Sequence, residues 1–347
     1  MSERIDDIVM YKMYTHAFKK RIPIMATIEI TNECNFRCIH CYLNNQLRRV
    51  FLDKDEIYGM INQFVENGTI YLTITGGDPL LHPDFCAIYE YAIKRGLIVT
   101  VFTNASLLTL DMLKLFVKYP PRRVEVTFYG MSEEKYHNVT RTYMYEQVIK
   151  NVQSMKNKKI NILAKMFIIR ENYSEINKFL DYCKKQQLPC KLDYVLVSDD
   201  KNVTERHKIT NAEARKVDEE YFKQADVDEN WGKFIENETK NELLHCGAGR
   251  ISFWVKANNK IRICNFISDV ELSLEQYTFH DIWQHFGYYL ERLNENSKDL
   301  CNMCRYQKQC FICPAKMKIY TGEFRPTSVG DIPFCKQSIE NKGEIYD

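Results

Sequence analysis

Residues 31–42 read TNECNFRCIHCY, with cysteines at positions 34, 38 and 41. This stretch begins where a β-branched run over 24–31 predicts a strand. Three thiols spaced C-x3-C-x2-C directly after a strand can converge on one cofactor. A structural zinc site requires four ligands, but this stretch supplies only three cysteines. The nearby candidate for a fourth ligand, His40, is placed between Cys38 and Cys41 in the sequence. Three thiolates suit a four-iron cluster that keeps one iron without a protein ligand.

Beyond this stretch, runs of β-branched residues alternate with segments of helical periodicity up to residue 197. Strands are predicted over 24–31, 70–75, 98–103, 124–129, 160–168 and 191–197. Helices are predicted over 54–67, 83–95, 110–118, 145–156 and 174–187. Six strands joined by five crossovers predict an α/β fold, a parallel sheet curved into a partial (β/α)6 barrel. Its ligand site is expected at the carboxyl ends of the strands.

The pattern changes after residue 197, where a polar segment is followed by a cysteine-rich region with short strands. We predict an N-terminal extension over 1–22, a core barrel over 23–197, a bridging region over 198–244 and a cysteine-rich domain over 245–347. The bridging region includes an amphipathic helix predicted over 211–226.

Composition excludes several classes of protein. With 45% hydrophobic and 27% charged residues in 347, the chain is expected to be globular and soluble. A net charge of +2 gives no basic excess for nucleic acid. The apolar stretch over 22–28 is far shorter than the ~20 residues of a membrane span. Residues 1–24 carry no secretory signal, so the 13 cysteines are expected in the reducing cytoplasm, where they bind metal more often than they form disulfides.

Cys34, Cys38 and Cys41 match the CxxxCxxC signature, and the chain resembles the radical S-adenosylmethionine (radical SAM) enzymes. After the second predicted strand, residues 76–79 read GGDP and resemble the GGEP motif of that family, with Asp78 replacing the usual Glu. The resemblance implies SAM contacts from His40, Tyr42, Gly76, Gly77, Asp78, Pro79, Asn104, Thr127 and Arg141.

These contacts have distinct expected roles. His40 and Tyr42 flank the last cysteine, where family members contact the adenine. Glycines at a strand end let the backbone approach a ligand, and a carboxylate there can accept hydrogen bonds from the methionine ammonium. Arg141 lies in a segment similar to the one that binds the methionine carboxylate in the family, and a surface arginine is the alternative.

The resemblance implies that SAM chelates the open iron, and that its one-electron reduction yields a 5′-deoxyadenosyl radical that takes a hydrogen atom from the substrate. An electron donor of the flavodoxin or ferredoxin type is the implied partner. Tyr129 and Asp193, near the ends of two predicted strands, are the candidate catalytic residues. Asp193 is interpreted as a base, a substrate ligand or a cap of the following loop.

Seven further cysteines resemble the SPASM extension of these enzymes, which holds two auxiliary [4Fe–4S] clusters and brings the expected total to three. By that resemblance, one auxiliary cluster binds to Cys301, Cys304, Cys310 and Cys335, and the other to Cys246, Cys264 and Cys313. Two residues instead of three separate Cys310 from Cys313, so these two could exchange. Asn259 replaces a family glycine, and asparagine tolerates the same positive φ. A zinc ribbon is the alternative.

The resemblance covers about residues 23–335 and is strongest to peptide-modifying SPASM enzymes. The predicted function is modification of a ribosomally made peptide, such as a cross-link, with the leader bound by a partner protein or by the enzyme itself. The alternatives are a small-molecule dehydrogenase or decarboxylase, a peptide epimerase, and a sulfatase-activating oxidase. Cys86, Cys183 and Cys190 are interpreted as core residues, although Cys183 or Cys190 near a substrate radical could return a hydrogen atom.

Overall fold

The computed structural model describes residues 2–43, 50–196, 201–210, 212–214, 216–217, 243–244, 246–295 and 313–324. Within these ranges, nine strands form one sheet in the order β6-β5-β4-β3-β2-β1-β7-β8-β9. The strands are β1 (Met25–Thr31), β2 (Tyr71–Gly76), β3 (Ile98–Thr103), β4 (Arg123–Phe128), β5 (Ile162–Phe167), β6 (Cys190–Asp193), β7 (Ser252–Val255), β8 (Lys260–Arg262) and β9 (Glu271–Ser273). Strands β1 to β7 pair in parallel, and β8 and β9 pair antiparallel.

Ten helices lie in the described ranges, and six of them connect the strands β1 to β6. They are α1 (Ser2–Lys20), α2 (Lys54–Glu66), α3 (Phe85–Lys94), α4 (Leu110–Lys118), α5 (Glu133–Thr140), α6 (Tyr145–Asn157), α7 (Ile176–Gln186), α8 (Lys201–His207), α9 (Phe279–Glu295) and α10 (Pro314–Thr321). The predicted α/β class is confirmed, whereas α1, α5, α8 and α10 were not predicted. Strand β6 ends at Asp193, before the predicted limit of 197. In the described ranges, no helix is both long and apolar enough to cross a membrane.

Helix α2 illustrates how the sequence specifies a crossover. The carboxylate of Asp53 accepts hydrogen bonds from the backbone N–H groups of Asp55 and Glu56, at 2.8 and 3.2 Å, and so caps the helix. Ile57, Met60, Ile61 and Phe64 then recur at helical spacing and are all buried. The helix therefore buries one apolar stripe against the sheet.

The two faces of the parallel sheet differ in polarity. On β1, Ala26, Ile28 and Ile30 belong to the core that also contains the buried residues of the helices. The alternate residues, among them Thr27 and Glu29, point to the opposite face, because successive side chains of a strand alternate. We call this opposite side the inner face. The register places further side chains on it: Thr73, Thr75, Phe102, Arg123, Glu125, Thr127, Lys165, Phe167, Lys191, Asp193 and Trp254.

The cysteine-rich region is attached to the barrel through β7 and α9. Strand β7 extends the sheet beside β1, and its Phe253 packs between Phe64 of α2 and Phe279 of α9, at ring distances of 4.9 and 4.7 Å. Helix α9 begins at Phe279 and runs to Glu295. Asn259 has a φ of 62°, so the predicted positive φ is also confirmed. The domain boundaries at 197 and 245 stay predictions.

Candidate cluster and cofactor site

The cysteine loop after β1 is held on one side by the end of β2. The N–H of Gly77 donates to the carbonyl oxygen of Thr31, and the N–H of Asp78 donates to that of Glu33, both at 2.8 Å. Gly76 has a φ of 153°, which side chains disfavour, and a Cβ there would lie 2.1 Å from the Thr31 oxygen. A Cβ at Gly77 would lie 2.2 Å from the Glu33 oxygen. Glycine is therefore required at both positions by the backbone of the loop itself.

The other side of the loop is held by the end of α5. The N–H groups of Arg37 and Ile39 donate to the carbonyl oxygens of Thr140 and Val139, at 2.9 and 3.0 Å. Arg141 ends this helix in the left-handed conformation, with a φ of 62°, and its side chain is exposed. Arg141 therefore directly follows Thr140, whose carbonyl oxygen accepts a hydrogen bond from the loop.

The three thiols of this loop lie within electrostatic reach of one another. Burial raises the pKa of Cys34 to about 12, and the charges of Asp78 and Cys41 add to the rise. Burial also raises the pKa of Cys38 well above its usual value, as do the charges of Cys41 and Cys34. Three clustered thiolates without a counter-charge are unstable, and coordinated iron supplies that charge. The donor set fits an iron–sulfur cluster.

The spacing of these donors bears on the zinc alternative. No group of three His, Cys, Asp or Glu side chains within the described ranges is placed to hold one metal ion. In an iron–sulfur cluster each thiolate binds a different iron, so its ligands lie farther apart than those of a single ion. A cluster that binds one thiolate at each of three irons is compatible with this placement.

Tyr129 lies beside one of the cluster cysteines. Its hydroxyl donates a hydrogen bond to the Cys38 sulfur, which lowers the pKa of that thiol and partly offsets the effect of burial. Its ring packs edge-on against Phe36 and Tyr136, at centroid distances of 5.9 and 5.8 Å. Tyr129, predicted as catalytic, therefore contacts a predicted metal ligand.

His40 lies in an aromatic setting near the same loop. Its ring stacks on Phe167 with a centroid distance of 5.1 Å and an interplanar angle of 11°. Burial lowers the pKa of His40 to about 4, so the ring is neutral at physiological pH. Its Nδ1 is buried and has no hydrogen-bond partner among the described residues. A ligand with a hydrogen-bond donor could satisfy this nitrogen.

Asp78 is fully buried and connects β2 with β3. Its carboxylate accepts hydrogen bonds from the Thr103 hydroxyl at 2.8 Å, from the Asn104 N–H at 2.7 Å and from the Leu80 N–H at 3.0 Å. Burial raises the pKa of Asp78 to about 6, although these hydrogen bonds by themselves lower it. The Asn104 amide in turn lies 3.8 Å from the Cys34 sulfur. Asp78 thus fixes the end of β3 against the cysteine loop, and its contact with methionine stays a prediction.

Pro79, Thr127 and Asp193 also lie at strand ends. Pro79 is buried and opens a short 3-10 helix after β2. Thr127 is half-buried on the inner face, paired with Lys165. Asp193 ends β6 on the same face, and its Oδ1 accepts a hydrogen bond from the Val195 N–H at 3.1 Å. This contact matches the capping alternative for Asp193.

A buried charged network connects this site with β7 and was not predicted. Glu29 accepts hydrogen bonds from Lys256 at 2.8 Å, from Trp254 at 2.9 Å and from the Tyr42 hydroxyl at 3.2 Å. Lys256 also donates to Asn265 at 3.1 Å. Tyr42 follows Cys41, and Asn265 follows Cys264, so the network joins the two cysteine regions. A glutamate inside an otherwise buried strand was the signal available in the sequence.

Three cysteines of the second set lie together. Burial raises the pKa of Cys264 to about 12, and the charges of Cys246 and Cys313 raise it further. Burial also raises the pKa of Cys246, and Cys313 adds to that rise. Three distant segments thus bring their thiols into one group, which has the donor chemistry of an iron–sulfur site. The remaining predicted ligands lie outside the described residues: Cys301, Cys304, Cys310 and Cys335.

Cys183 and Cys190 form a separate pair. The two thiols share a hydrogen bond, which lowers the pKa of Cys190 to about 7. Cys190 alternates with Lys191 along β6, so it points away from the inner face and towards α7, where Cys183 is buried. Neither thiol therefore faces the inner side, where the hydrogen-atom donor of an epimerase would be needed.

Comparisons with known proteins agree with this arrangement. Residues 28–183 match the family model of the Radical SAM superfamily. The AdoMet-dependent heme synthase of Methanosarcina barkeri is 21% identical and aligns over 90% of this chain and 96% of its own. The subtilosin biosynthesis protein AlbA of Bacillus subtilis is 25% identical over 84% of this chain and 68% of its own. The crystal structure of Streptococcus suis SuiB bound to S-adenosylmethionine superposes with a TM-score of 0.72 at 16% identity, over 92% of this chain and 80% of that one.

A parallel sheet with a three-cysteine loop held at the carboxyl end of its first strand is the arrangement that the sequence predicts for a radical SAM domain. Residues 28–183 form a radical SAM domain. The likeness to SuiB shows that the two proteins share their fold over 92% of this chain.

Proposed function

We propose that this enzyme cleaves SAM reductively and uses the resulting radical to modify a ribosomally made peptide. Two findings support a peptide substrate. AlbA belongs by its name to bacteriocin biosynthesis, and SuiB has also been crystallised with its precursor peptide SuiA, in a structure that superposes on this chain with a TM-score of 0.70. The three clustered thiols after β1 support the first part of the proposal, the reductive cleavage of SAM.

Cys34, Cys38 and Cys41 would hold the cluster, which supplies the electron that breaks the sulfonium bond of SAM. The protein positions the reactants and excludes water. Asn104 approaches Cys34, and Tyr129 donates a hydrogen bond to Cys38, so both stabilise the charged thiolates. We propose that the unpaired Nδ1 of His40 accepts a hydrogen bond from the adenine amine.

Arg141 is proposed to bind the methionine carboxylate. Replacing it with alanine removes a charge-assisted interaction of about 1.5–3 kcal/mol, so we expect the Kd for SAM to rise about tenfold or more. Equilibrium dialysis with labelled SAM on the anaerobic reconstituted enzyme measures this. The exposed Arg95, which directly follows helix α3, is a matched control whose replacement is expected to leave the Kd unchanged. Unchanged affinity in Arg141→Ala would assign the carboxylate to another residue.

We propose that Cys246, Cys264 and Cys313 bind one auxiliary cluster and that Cys301, Cys304, Cys310 and Cys335 bind a second. Cys313→Ala is then expected to lose about four of about twelve iron atoms per chain. Iron and sulfide analysis of anaerobic protein checks this, with Cys86→Ala, a helix α3 cysteine outside the clusters, as control. Loss of iron from both auxiliary sites would contradict the proposal that the two clusters bind independently. One zinc ion per chain would instead favour the zinc ribbon.

The match to a heme synthase over nearly its full length favours a second candidate, modification of a small molecule. The test incubates the reduced enzyme and SAM anaerobically with synthetic peptides translated from the short reading frames beside its gene. A cross-link appears in mass spectrometry as a loss of two hydrogens, and an epimer leaves the mass unchanged. Absence of any peptide modification, while SAM is still cleaved, would favour the small-molecule candidate.

A further inference from the structure

The inner face of the barrel carries an unusual pair of like charges. The register pairs Lys165 of β5 directly with Lys191 of β6, and both side chains lie on the inner face. Directly opposed like charges on neighbouring strands are destabilising unless an anion lies between them. The arrangement therefore favours a negatively charged ligand.

The acidic groups around this pair do not fully balance it. Glu125 forms ion pairs with both Arg123, at 2.6 Å, and Lys165, at 2.9 Å, so one carboxylate serves two cations. Asp193 is the other carboxylate near Lys165. Among the described residues, no carboxylate forms an ion pair with Lys191, whose side chain is exposed. The wall formed by β4, β5 and β6 thus has three cations and two anions on its inner face.

Lys165 is also fixed in place. Its ammonium lies 3.8 Å from the ring centre of Phe102, a distance typical of a cation–π contact. Burial lowers the pKa of Lys165, and the charge of Lys191 lowers it further. The charges of Glu125 and Asp193 raise this pKa and partly offset the decrease. An ammonium held between a ring and a carboxylate is preorganised for a second anion.

The pair lies beside a residue that is predicted to contact SAM. Lys165 is the register partner of Thr127, which is proposed to contact SAM, and Lys191 lies one strand farther on. We infer that Lys165 and Lys191 bind a carboxylate of the substrate, namely an aspartate or glutamate side chain of the peptide. This inference rests on the proposed function and adds a class of substrate residue to it.

A selection from a randomised display library on the anaerobic reconstituted enzyme with SAM tests the subsite. We expect the selected peptides to be enriched in Asp or Glu. A selected peptide is then synthesised with an amidated C-terminus, together with a version in which Asn or Gln replaces the acidic residue. The acidic version is expected to bind wild type about tenfold more tightly, because charge-assisted hydrogen bonds are lost in the amide.

Lys191→Gln is expected to abolish this difference between the two peptides, whereas Lys184→Gln, on the outer helix α7, retains it. The double-mutant cycle separates the pairwise interaction from general loss of binding. Equal binding of both peptides to wild type, or an unchanged difference in Lys191→Gln, would overturn the subsite.

Two other outcomes overturn it in different ways. If Lys191→Gln raises the Kd for SAM and leaves peptide binding unchanged, the carboxylate belongs to SAM itself. If the library yields no binding peptide at all, the peptide function fails and the subsite fails with it. Selected peptides without acidic enrichment leave the proposed function intact and refute only the subsite.

Discussion

Joint replacement of Cys34, Cys38 and Cys41 with alanine is expected to abolish 5′-deoxyadenosine formation. The variant loses the three thiolates that are proposed to hold the cluster. The auxiliary sites remain, because Cys246, Cys264 and Cys313 lie in another part of the chain. We therefore expect about eight of about twelve iron atoms per chain and retained absorbance of the auxiliary clusters.

Chromatography of 5′-deoxyadenosine after anaerobic reduction measures this result. Cys183→Ala is the matched control, because it removes a buried cysteine on the outer side of the barrel. That variant is expected to form 5′-deoxyadenosine as wild type does. Continued formation of 5′-deoxyadenosine in the triple variant would refute the assignment of the three thiols.

Gly77→Ala is expected to have the second largest effect. The new Cβ would lie 2.2 Å from the backbone oxygen of Glu33 and 2.7 Å from that of Asn32, and backbone atoms cannot turn aside as a flexible side chain can. Overpacking of this kind costs about 1–3 kcal/mol. Relief requires the cysteine loop to move, which breaks the hydrogen bonds from Gly77 and Asp78. We expect lower thermal stability and a large loss of SAM cleavage.

Gly59→Ala is the control for this prediction. Gly59 lies on the exposed side of α2, and a Cβ there meets nothing within 4 Å. Alanine inside a helix is more favourable than glycine by about 0.5–1 kcal/mol, so this variant is expected to gain stability and keep full activity. Equal melting temperatures and equal activity in Gly77→Ala and wild type would show that the loop does not depend on this contact.

Much of the fold could be predicted because its signals are local. The β-branched runs and amphipathic periods specify six parallel strands and their crossovers. Helix α5 was missed because it is short and polar, with three buried residues and a serine cap at Ser132. The pairing of β7 with β1 joins residues more than 200 positions apart, and no local pattern reveals it.

The sequence predicts the thiols of the site, but only some of the residues that hold those thiols in place. The sequence interpretation assigned Gly76 and Gly77 to the approach of a ligand, whereas the structure requires them for the approach of the cysteine loop. Glu29 and Lys256 were missed because their ion pair depends on tertiary contact. The opposition of Lys165 and Lys191 likewise requires the strand register, since a one-residue slip would place them on different faces.

We propose that Cys34, Cys38 and Cys41 hold a cluster whose remaining iron binds SAM. Electron–nuclear double resonance of the reduced enzyme, with SAM labelled with ¹⁵N at its amino group, tests it most directly. We predict a ¹⁵N coupling to the cluster signal in wild type and none in the triple alanine variant. A coupling that is absent from wild type, or that persists in the variant, would contradict the claim.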